Sequence, residues 1–412
     1  MIFSSVWKGE NEFIFLNHLM EPYICFFEGL FFVSVFLILY TYIVFPAILG
    51  LLAHGKMVKE DNFPNNNEFP KVTIIIAAYN EELVIKQKLE SIFNSDYPKE
   101  NLEIIIGSDA SNDRTSGIVS MYANEYPFIK FYEFPIRRGK PSVINDLVSY
   151  SSYPLIILTD ANVFFEKQMI GRLIRHFRNE KTGLVGANIL NVGLKKDGIS
   201  IQEKSYVERE NIIKYREGVL WGCMMGPFGG CYALRKNLFE AVPAGFLVDD
   251  FYISMKVVEK NFYCLNDLEA ICYEDVSNDI FQEYKRKARI SAGNFQNLKM
   301  FGHFLLRPFT PAGFCFISHK FLRWMTPFFI IFSLLSLIIL STFNYIYFIL
   351  LTGEIILLCA PMIDWLVTKA GMHLRFLRFI SYFSFMNLAL LKGFFRFVRG
   401  INSGIWTPTK RG

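Results

Sequence analysis

The pattern of apolar and polar positions changes twice along the chain and divides it into three parts. No residue from Gly29 to Ala53 is charged, and a run of that length can cross a bilayer as a helix. Short apolar runs then alternate with polar, helix-like stretches, and long apolar runs return after residue 300. We therefore predict an N-terminal part (1–59) with a membrane helix at 29–53, a cytosolic domain (60–300) and a C-terminal membrane part (301–412).

After a polar linker, Glu60–Pro70, the middle part repeats a strand, loop and helix pattern. The predicted strands and helices are Val72–Ala78, Glu82–Phe93, Glu103–Gly107, Asp113–Tyr126, Ile129–Phe134, Gly139–Tyr150 and Leu155–Thr159. Near-continuous apolar strands separated by helices predict an α/β fold with a mainly parallel sheet covered on both faces. No Gly-x-Gly-x-x-Gly follows the first strand, which disfavours a dinucleotide oxidoreductase.

The C-terminal part is predicted to hold an interfacial segment at Phe304–Lys320 and membrane helices at 324–342 and 345–367. Glu354 and Asp364 fall within the second of these helices. We expect both side chains to face protein or a watery path, or else to pair with backbone or snorkel to the interface.

Charge suggests how these segments are oriented. His54, Lys56 and Lys59 follow the first membrane helix, so the positive-inside rule places the middle part in the cytosol. In the last apolar segment, 376–398, only 13 residues between Arg378 and Lys392 are uncharged, which is short for a span, so we expect this segment to be amphipathic or a third membrane helix. We expect the basic tail around Arg411 to lie in the cytosol, because all basic clusters are then on the same side of the membrane. The expected location is the cell membrane, as a multi-pass protein.

Composition narrows the function classes. Hydrophobic residues make up 52% of the 412 residues, which fits a membrane-attached domain. A net charge of +5 gives no case for nucleic-acid binding. The seven cysteines form no Cys-x-x-Cys pair, so neither a zinc site nor a disulfide framework is indicated, as expected in a reducing compartment.

Polar side chains follow the predicted strands where these end. Leu155–Thr159 is followed directly by Asp160-Ala161-Asn162. Ligands collect at the carboxyl ends of strands in open α/β sheets, and two oxygen-bearing side chains there suit Mg²⁺ or Mn²⁺. The alternative is an Asx-type turn that binds no metal.

The first strand ends in Ala78-Tyr79-Asn80-Glu81-Glu82, and the second ends at Asp109. A basic loop, Arg137-Arg138-Gly139-Lys140, opens a predicted helix and is typical of a phosphate site, or else is a solvated turn. Acidic strand ends, a cation site and a basic loop together suggest that this crevice binds a nucleoside diphosphate derivative.

These motifs resemble the membrane-embedded family 2 glycosyltransferases of GT-A type, the group of cellulose, chitin, hyaluronan and poly-N-acetylglucosamine synthases. The resemblance covers about residues 70–300. It implies nucleotide binding by Ala78, Tyr79, Asn80, Glu82, Asp109, Lys140 and Asp160, with Asp109 at a uracil base. It also implies a divalent metal on Asp160 and Asn162, where Asn162 replaces the family's second Asp and removes one charge.

Val248-Asp249-Asp250-Phe251 resembles the family's Thr-Glu-Asp signature, which makes Asp250 the expected general base. Inverting transfer needs a carboxylate to take the proton of the acceptor hydroxyl. Apolar neighbours and the adjacent Asp249 should raise the pKa of Asp250. Taken without the family, the pair is an acidic start of the helix Phe251–Glu259.

The segment Arg286-Lys287-Ala288-Arg289-Ile290 stands where processive members carry Gln-x-x-Arg-Trp. We expect Arg286 and Arg289 to contact the diphosphate; a headgroup-facing helix surface is the alternative. Ile290 replaces the aromatic residue, which puts processive polymerisation in doubt.

A glycine-rich, apolar stretch, 218–232, is expected to help bind the acceptor, or else to form a packed turn. The acceptor-binding residues implied there and at the acidic pair are Trp221, Gly229, Gly230 and Asp249.

The sequence thus predicts an inverting, metal-dependent hexosyl- or N-acetylhexosaminyltransferase. It would move a sugar from a UDP-sugar to a growing polysaccharide or lipid-linked acceptor at the cytosolic face of a lipid bilayer. The alternatives are single addition to a lipid acceptor, or a catalytically silent nucleotide-binding subunit with a partner in an export complex.

Overall fold

The structure is a computed structural model that describes residues 2–58, 69–194 and 198–401. Most of the predicted linker and the basic tail around Arg411 lie outside these residues. The chain divides into two compact units. One comprises Met1–Phe45 and Leu322–Leu388, and the other comprises Pro46–Phe321 and Ala389–Gly412.

The described chain contains fourteen α-helices and eight strands. The helices are α1 (Ile2–Leu39), α2 (Phe45–Leu52), α3 (Ile85–Phe93), α4 (Thr115–Glu125), α5 (Lys140–Tyr150), α6 (Met169–Arg175), α7 (Ser200–Trp221), α8 (Asp249–Glu259), α9 (Ile280–Phe301), α10 (Pro311–Cys315), α11 (Leu322–Leu340), α12 (Tyr345–Leu358), α13 (Ala360–Lys369) and α14 (Arg375–Val398). The strands are β1 (Val72–Ala78), β2 (Leu102–Asp109), β3 (Ile129–Phe134), β4 (Leu155–Thr159), β5 (Val163–Phe165), β6 (Thr182–Val192), β7 (Cys231–Arg235) and β8 (Tyr263–Asp275).

The larger unit is built on one eight-stranded sheet with the order β3-β2-β1-β4-β7-β6-β8-β5. The first four strands in this order run parallel, and β7 enters antiparallel between β4 and β6. Every residue of β1, β2 and β4 is buried, as expected for strands covered by helices on both faces. The predicted α/β class with a mainly parallel sheet is confirmed.

Helix and sheet pack closely where β2 meets α5. A Cβ on Gly107 would lie 2.8 Å from Val143 Cγ1, so this strand position requires a residue without a side chain. The close approach brings the first turn of α5 to the carboxyl end of β2. That placement decides where the basic loop lies.

The smaller unit is helical, and polar side chains within it are paired. Glu354 Oε2 accepts a hydrogen bond of 2.8 Å from Ser333, and Asp364 pairs with Arg378 at 2.6 Å. Both acids therefore face protein, which is one of the environments expected for ionisable groups at membrane depth.

By length and composition, the described part of the chain holds two helices able to cross a membrane, Glu21–Leu52 and Pro311–Leu340. A third is possible if α12 and α13, bent by 50° relative to each other, form one span. The second of these helices begins at Pro311, well before the predicted start at residue 324. The predicted span 345–367 is interrupted before Ala360, where Pro361 stands in the first turn of a new helix.

Candidate active site

The carboxyl ends of β1, β2 and β4 meet at one edge of the sheet. Their register pairs Ala78 with Ser108 and Ile76 with Thr159, so the three strands end side by side. The residues that follow them, from Tyr79, Asp109 and Asp160 onward, consequently lie along one crevice, as the fold requires.

The first motif is bound to the loop that follows β2. Asn80, with a φ of 53°, donates its backbone N–H to Ser111 Oγ and accepts from the Asn112 N–H at 2.9 Å. Glu82 accepts from the Arg114 N–H at 3.0 Å. Because these side chains bind neighbouring backbone, they fix the shape of the loops.

Asp109 organises the basic loop. It is fully buried, and its two carboxylate oxygens accept from the N–H groups of Arg138 and Gly139, at 2.8 and 2.9 Å. Gly139 has a φ of 89°, which favours glycine, and Lys140 begins α5 directly after it. The Arg137 guanidinium stacks 3.4 Å from the ring centre of Tyr79. Asp109 therefore orients the residues that carry the positive charge, and its contact with a base stays a prediction.

Lys140 and Asp160 form the central ion pair of the crevice. Lys140 Nζ lies 2.6 Å from Asp160 Oδ1, and the Asp160 N–H donates to the Gly230 carbonyl at 3.0 Å. Burial opposes the charge of Lys140, but Asp160 and then Asp249 outweigh it and raise the pKa of Lys140, with a smaller contribution from Asp250. Lys140 therefore pairs with Asp160 and interacts electrostatically with Asp249 and Asp250.

Asp249 and Asp250 are the first two residues of α8. Asp249 is buried, and its Oδ2 has no hydrogen-bond partner among the described residues. Burial and then the charge of Asp249 raise the pKa of Asp250 to about 6, against the opposing effects of Lys140, the Phe251 N–H and Lys214. A carboxyl group in this state can accept a proton near neutral pH.

The glycine-rich loop lies against the proposed base. A Cβ on Gly229 would lie 3.0 Å from Asp250 Oδ2, and one on Gly230 would lie 2.7 Å from Ile189 Cδ1. Trp221, at the end of α7, contacts Phe314 edge to face with 5.8 Å between ring centres. Gly229 is thus placed beside the acids, whereas the contact described for Trp221 is with an aromatic side chain.

The two arginines differ in their surroundings. Arg286 pairs with Glu203 at 2.8 Å and with Glu283 at 2.9 Å. Arg289 donates to the Leu247 carbonyl at 3.2 Å. Burial and then Arg286 lower the pKa of Arg289, while Asp249, Asp160 and Asp250 oppose that change. Arg289 therefore interacts electrostatically with the acids, whereas Arg286 pairs with two glutamates, and contact of either arginine with a diphosphate stays a prediction.

Several residues near the acids were missed from the sequence. Lys214, on α7, is buried with its Nζ 3.4 Å from the ring centre of Phe228, and it interacts electrostatically with Asp250. Tyr232, on β7, has a buried hydroxyl without a partner among the described residues. Burial and the charges of Asp249, Asp250 and Asp160 raise its pKa. Neither residue belongs to a recognisable motif, so only the topology brings them to the crevice.

Comparison with protein families decides the classification of this domain. The profile of glycosyl transferase family 2 matches residues 73–242. This segment belongs to glycosyl transferase family 2. The match begins in β1 and extends beyond β7, so it includes the first motif, the basic loop and the Asp160 turn.

Three curated bacterial proteins illustrate what this chain is similar to. A probable glycosyltransferase YdaM of Bacillus subtilis is 39% identical over 137 residues, covering 31% of this chain and 33% of the relative. A poly-beta-1,6-N-acetyl-D-glucosamine synthase of Staphylococcus epidermidis is 26% identical over 249 residues, covering 58% and 57%. A beta-monoglucosyldiacylglycerol synthase of Synechocystis is 25% identical over 166 residues, covering 37% and 34%. The matches thus span between a third and little more than half of these relatives.

A solved structure shows the same fold. The mannosyltransferase PcManGT of Pyrobaculum calidifontis, in complex with GDP-Man and Mn²⁺, aligns with a TM-score of 0.65 at 18% identity. The alignment covers 90% of this chain and 99% of that one. The GT-A type sheet with its attached helices is therefore shared by both proteins.

The residues of the crevice suit a divalent cation held together with a ligand. Asp160 and Asn162 supply hard oxygen donors, and the Asn162 amide nitrogen donates to Glu274 at 3.0 Å, which orients the side chain. Within the described residues there is no group of three His, Cys, Asp or Glu side chains that could hold a metal alone. Mg²⁺ or Mn²⁺ would therefore depend on phosphate and water oxygens for its remaining positions.

Proposed function

We propose that this chain transfers a sugar from a UDP-sugar to a hydroxyl acceptor with inversion at the anomeric carbon, at the cytosolic face of a membrane. One observation carries this proposal: Lys140 forms an ion pair with Asp160, at the end of β4, and interacts electrostatically with Asp249 and Asp250 at the start of α8. A diphosphate leaving group requires a cation, and an acceptor hydroxyl requires a carboxylate base; Lys140 and Asp250 are the groups proposed for these two roles.

In the proposed reaction, Asp250 accepts the proton of the acceptor hydroxyl as that oxygen bonds to the anomeric carbon. The bond from this carbon to the diphosphate oxygen breaks, and the diphosphate leaves with the bonding electrons. Lys140 and Arg289 provide positive charge for the leaving group. A divalent cation on Asp160 and Asn162 would supply further charge neutralisation to the diphosphate.

A polysaccharide acceptor is supported by the similarity to the staphylococcal synthase. Single addition to a lipid acceptor is the second candidate, because Ile290 stands where the family's processive members have an aromatic residue, and because the Synechocystis relative is named for a glycolipid. The chain length of the product after long incubation separates the two.

Substitution of the base tests the proposal. We expect Asp250→Asn to reduce transfer by about 10²- to 10⁴-fold, the usual range for loss of a general base. UDP binding, measured by calorimetry, should persist because Asp160 and Lys140 are unchanged. Full turnover by Asp250→Asn in membranes would refute the assignment of the base. If the wild-type protein released neither UDP nor GDP from any donor, a catalytically silent subunit would be favoured instead.

A further inference from the structure

A buried lysine lies beneath the turn that carries the proposed metal ligands. Lys88, in the middle of α3, has no solvent exposure. Ile85, Leu89 and Ile92 form the rest of the buried face of this helix. Lys88 is therefore a cation on a helix face that is otherwise apolar, next to the sheet.

The ammonium group of Lys88 binds both ends of the Asp160–Asn162 turn. Its Nζ donates to Thr159 Oγ1 at 2.9 Å, on the residue before the turn, and to the carbonyl oxygen of Val163, on the residue after it. The Nζ also lies 3.6 Å from the ring centre of Phe165. One side chain thus fixes the separation of the two chain segments between which the turn is held.

The same network continues to the glycine-rich loop. Thr159 Oγ1 accepts from Lys88 and donates to the Gly230 carbonyl at 2.9 Å, and the Asp160 N–H donates to that same carbonyl at 3.0 Å. Gly229, the preceding residue, adjoins Asp250. Lys88 therefore links the turn with the metal ligands to the loop that adjoins the proposed base.

Packing alone does not account for a lysine at this position. Burial lowers the pKa of Lys88 to about 8, while Cys231, Cys272 and Asp160 act in the opposite direction. No carboxylate of the described residues forms an ion pair with its Nζ. An aliphatic side chain would continue the apolar face without this desolvation cost, so the ammonium must serve its two hydrogen-bond acceptors.

We propose that Lys88 is a positioning residue of the donor site, which holds the Asp160–Asn162 turn in the conformation that receives a divalent cation and a nucleoside diphosphate. This inference rests on the proposed function. The inference goes beyond the proposed function because it assigns a role to a residue that touches neither sugar nor phosphate. It predicts that loss of Lys88 impairs binding of the cation and the donor rather than folding.

The test compares two lysines of α3 in the full-length, detergent-purified protein. Lys88→Met removes the buried ammonium, and Lys86→Met removes an exposed one whose partner is Glu90. Binding of Mn²⁺ in the presence of UDP is measured by electron paramagnetic resonance, and thermal unfolding is measured in parallel. We expect Lys88→Met to weaken Mn²⁺ binding about tenfold or more, the effect typical of residues that orient metal ligands, with an unchanged melting temperature. Lys86→Met should bind like the wild type.

Kinetic constants provide a second readout. In Lys88→Met, the Mn²⁺ and donor concentrations needed for half-maximal rate should rise more than kcat falls. Unchanged Mn²⁺ binding and donor KM in a folded Lys88→Met protein would overturn the inference. The inference would also be overturned if the loss of Mn²⁺ binding were fully explained by the fraction of the variant that is unfolded.

A second pair of variants decides the matter if Lys88→Met does not fold. Thr159→Val removes the acceptor of Lys88, whereas Thr159→Ser keeps the hydroxyl. The inference requires weaker Mn²⁺ binding in Thr159→Val and rescue in Thr159→Ser, and equal binding in both would refute it. If the wild type itself binds no Mn²⁺ with UDP, both the proposed function and this inference fail; if the wild type binds and the variants bind equally, only the inference fails.

Discussion

Asp250 combines three features that a general base needs at neutral pH. It interacts electrostatically with Lys140, it lies so close to Gly229 that a Cβ there would be 3.0 Å from its Oδ2, and its pKa is raised to about 6. The raised pKa means that the native protein binds this proton more tightly than the unfolded chain does. Ionisation of Asp250 therefore lowers stability as pH rises from the usual carboxyl range to about 6, which is a cost typical of functional sites.

The pH dependence of the reaction follows from this carboxyl group. The base must be ionised, so kcat/KM should fall tenfold per pH unit below about pH 6 and level off above it. Measuring kcat/KM from about pH 4.5 to about pH 8, in steps of about half a pH unit and at saturating metal, would show this decrease. A rate that stays constant down to about pH 5 would contradict the assignment of Asp250.

Lys214 should contribute to the pH at which that acidic limb lies. Its charge lowers the pKa of Asp250, together with Lys140 and against Asp249. Burial and then Lys320 lower the pKa of Lys214 itself to about 7, while Glu210, Asp250 and Glu217 oppose that change.

We expect Lys214→Met to move the acidic limb of kcat/KM to higher pH by about one unit, because a cation that favours the ionised base is lost. Lys204→Met, on the same helix but half-exposed and paired with Glu208, is the matched control and should leave the limb in place. An unshifted limb in a folded Lys214→Met protein would show that Lys214 only fills space.

At the scale of elements, packing of α9 against the C-terminal half of α14 depends on a glycine. A Cβ on Gly393 would lie 2.3 Å from Ser291 Cβ and 2.7 Å from the Ala288 carbonyl oxygen, and Ser291 Oγ donates to the Leu390 carbonyl at 2.8 Å. The two helices therefore approach at small residues, as is common where helices lie close together.

Gly393→Ala should destabilise the protein by about 1–3 kcal/mol, the usual cost of overpacking, and lower its melting temperature. Gly302→Ala is the control, because nothing lies within 4 Å of a Cβ built there. Equal melting temperatures for the two variants would show that α9 and α14 do not pack as described.

The strands of the parallel half of the sheet could be predicted from the sequence, because each is a short run dominated by apolar residues and lies between helix-like stretches. Val72–Ala78, Ile129–Phe134 and Leu155–Thr159 have the predicted bounds. The strands β5 to β8 were not predicted. β5 has only three residues, β6 and β8 mix buried and partly exposed positions, and the pairing of these strands depends on contacts distant in the chain.

The site was predictable only where its residues belong to motifs. Asp160, Asp250 and Lys140 stand at strand ends or helix starts, Lys140 pairs with Asp160 and interacts electrostatically with Asp250, and the roles assigned to the three stay predictions. Lys88 and Lys214 were not recognisable, because a lysine within a helix is ordinarily solvated, and only the tertiary structure shows that both are buried.

At the scale of the whole molecule, the family 2 domain is joined in sequence to helices long and apolar enough to cross a membrane. A membrane-attached transferase can receive a water-soluble donor on one side and an acceptor held at the bilayer. One assay with defined donors tests the sugar, the nucleotide of the donor and the acceptor together.

The most direct measurement is release of nucleoside diphosphate by the purified, full-length protein with a panel of UDP- and GDP-sugars and Mg²⁺ or Mn²⁺, followed by mass analysis of the product. We predict metal-dependent release of UDP from one donor class, with a product one or more sugars heavier than its acceptor and loss of release in Asp160→Ala. Absence of release from every donor, or release that is equal in the wild type and in Asp160→Ala, would contradict the account.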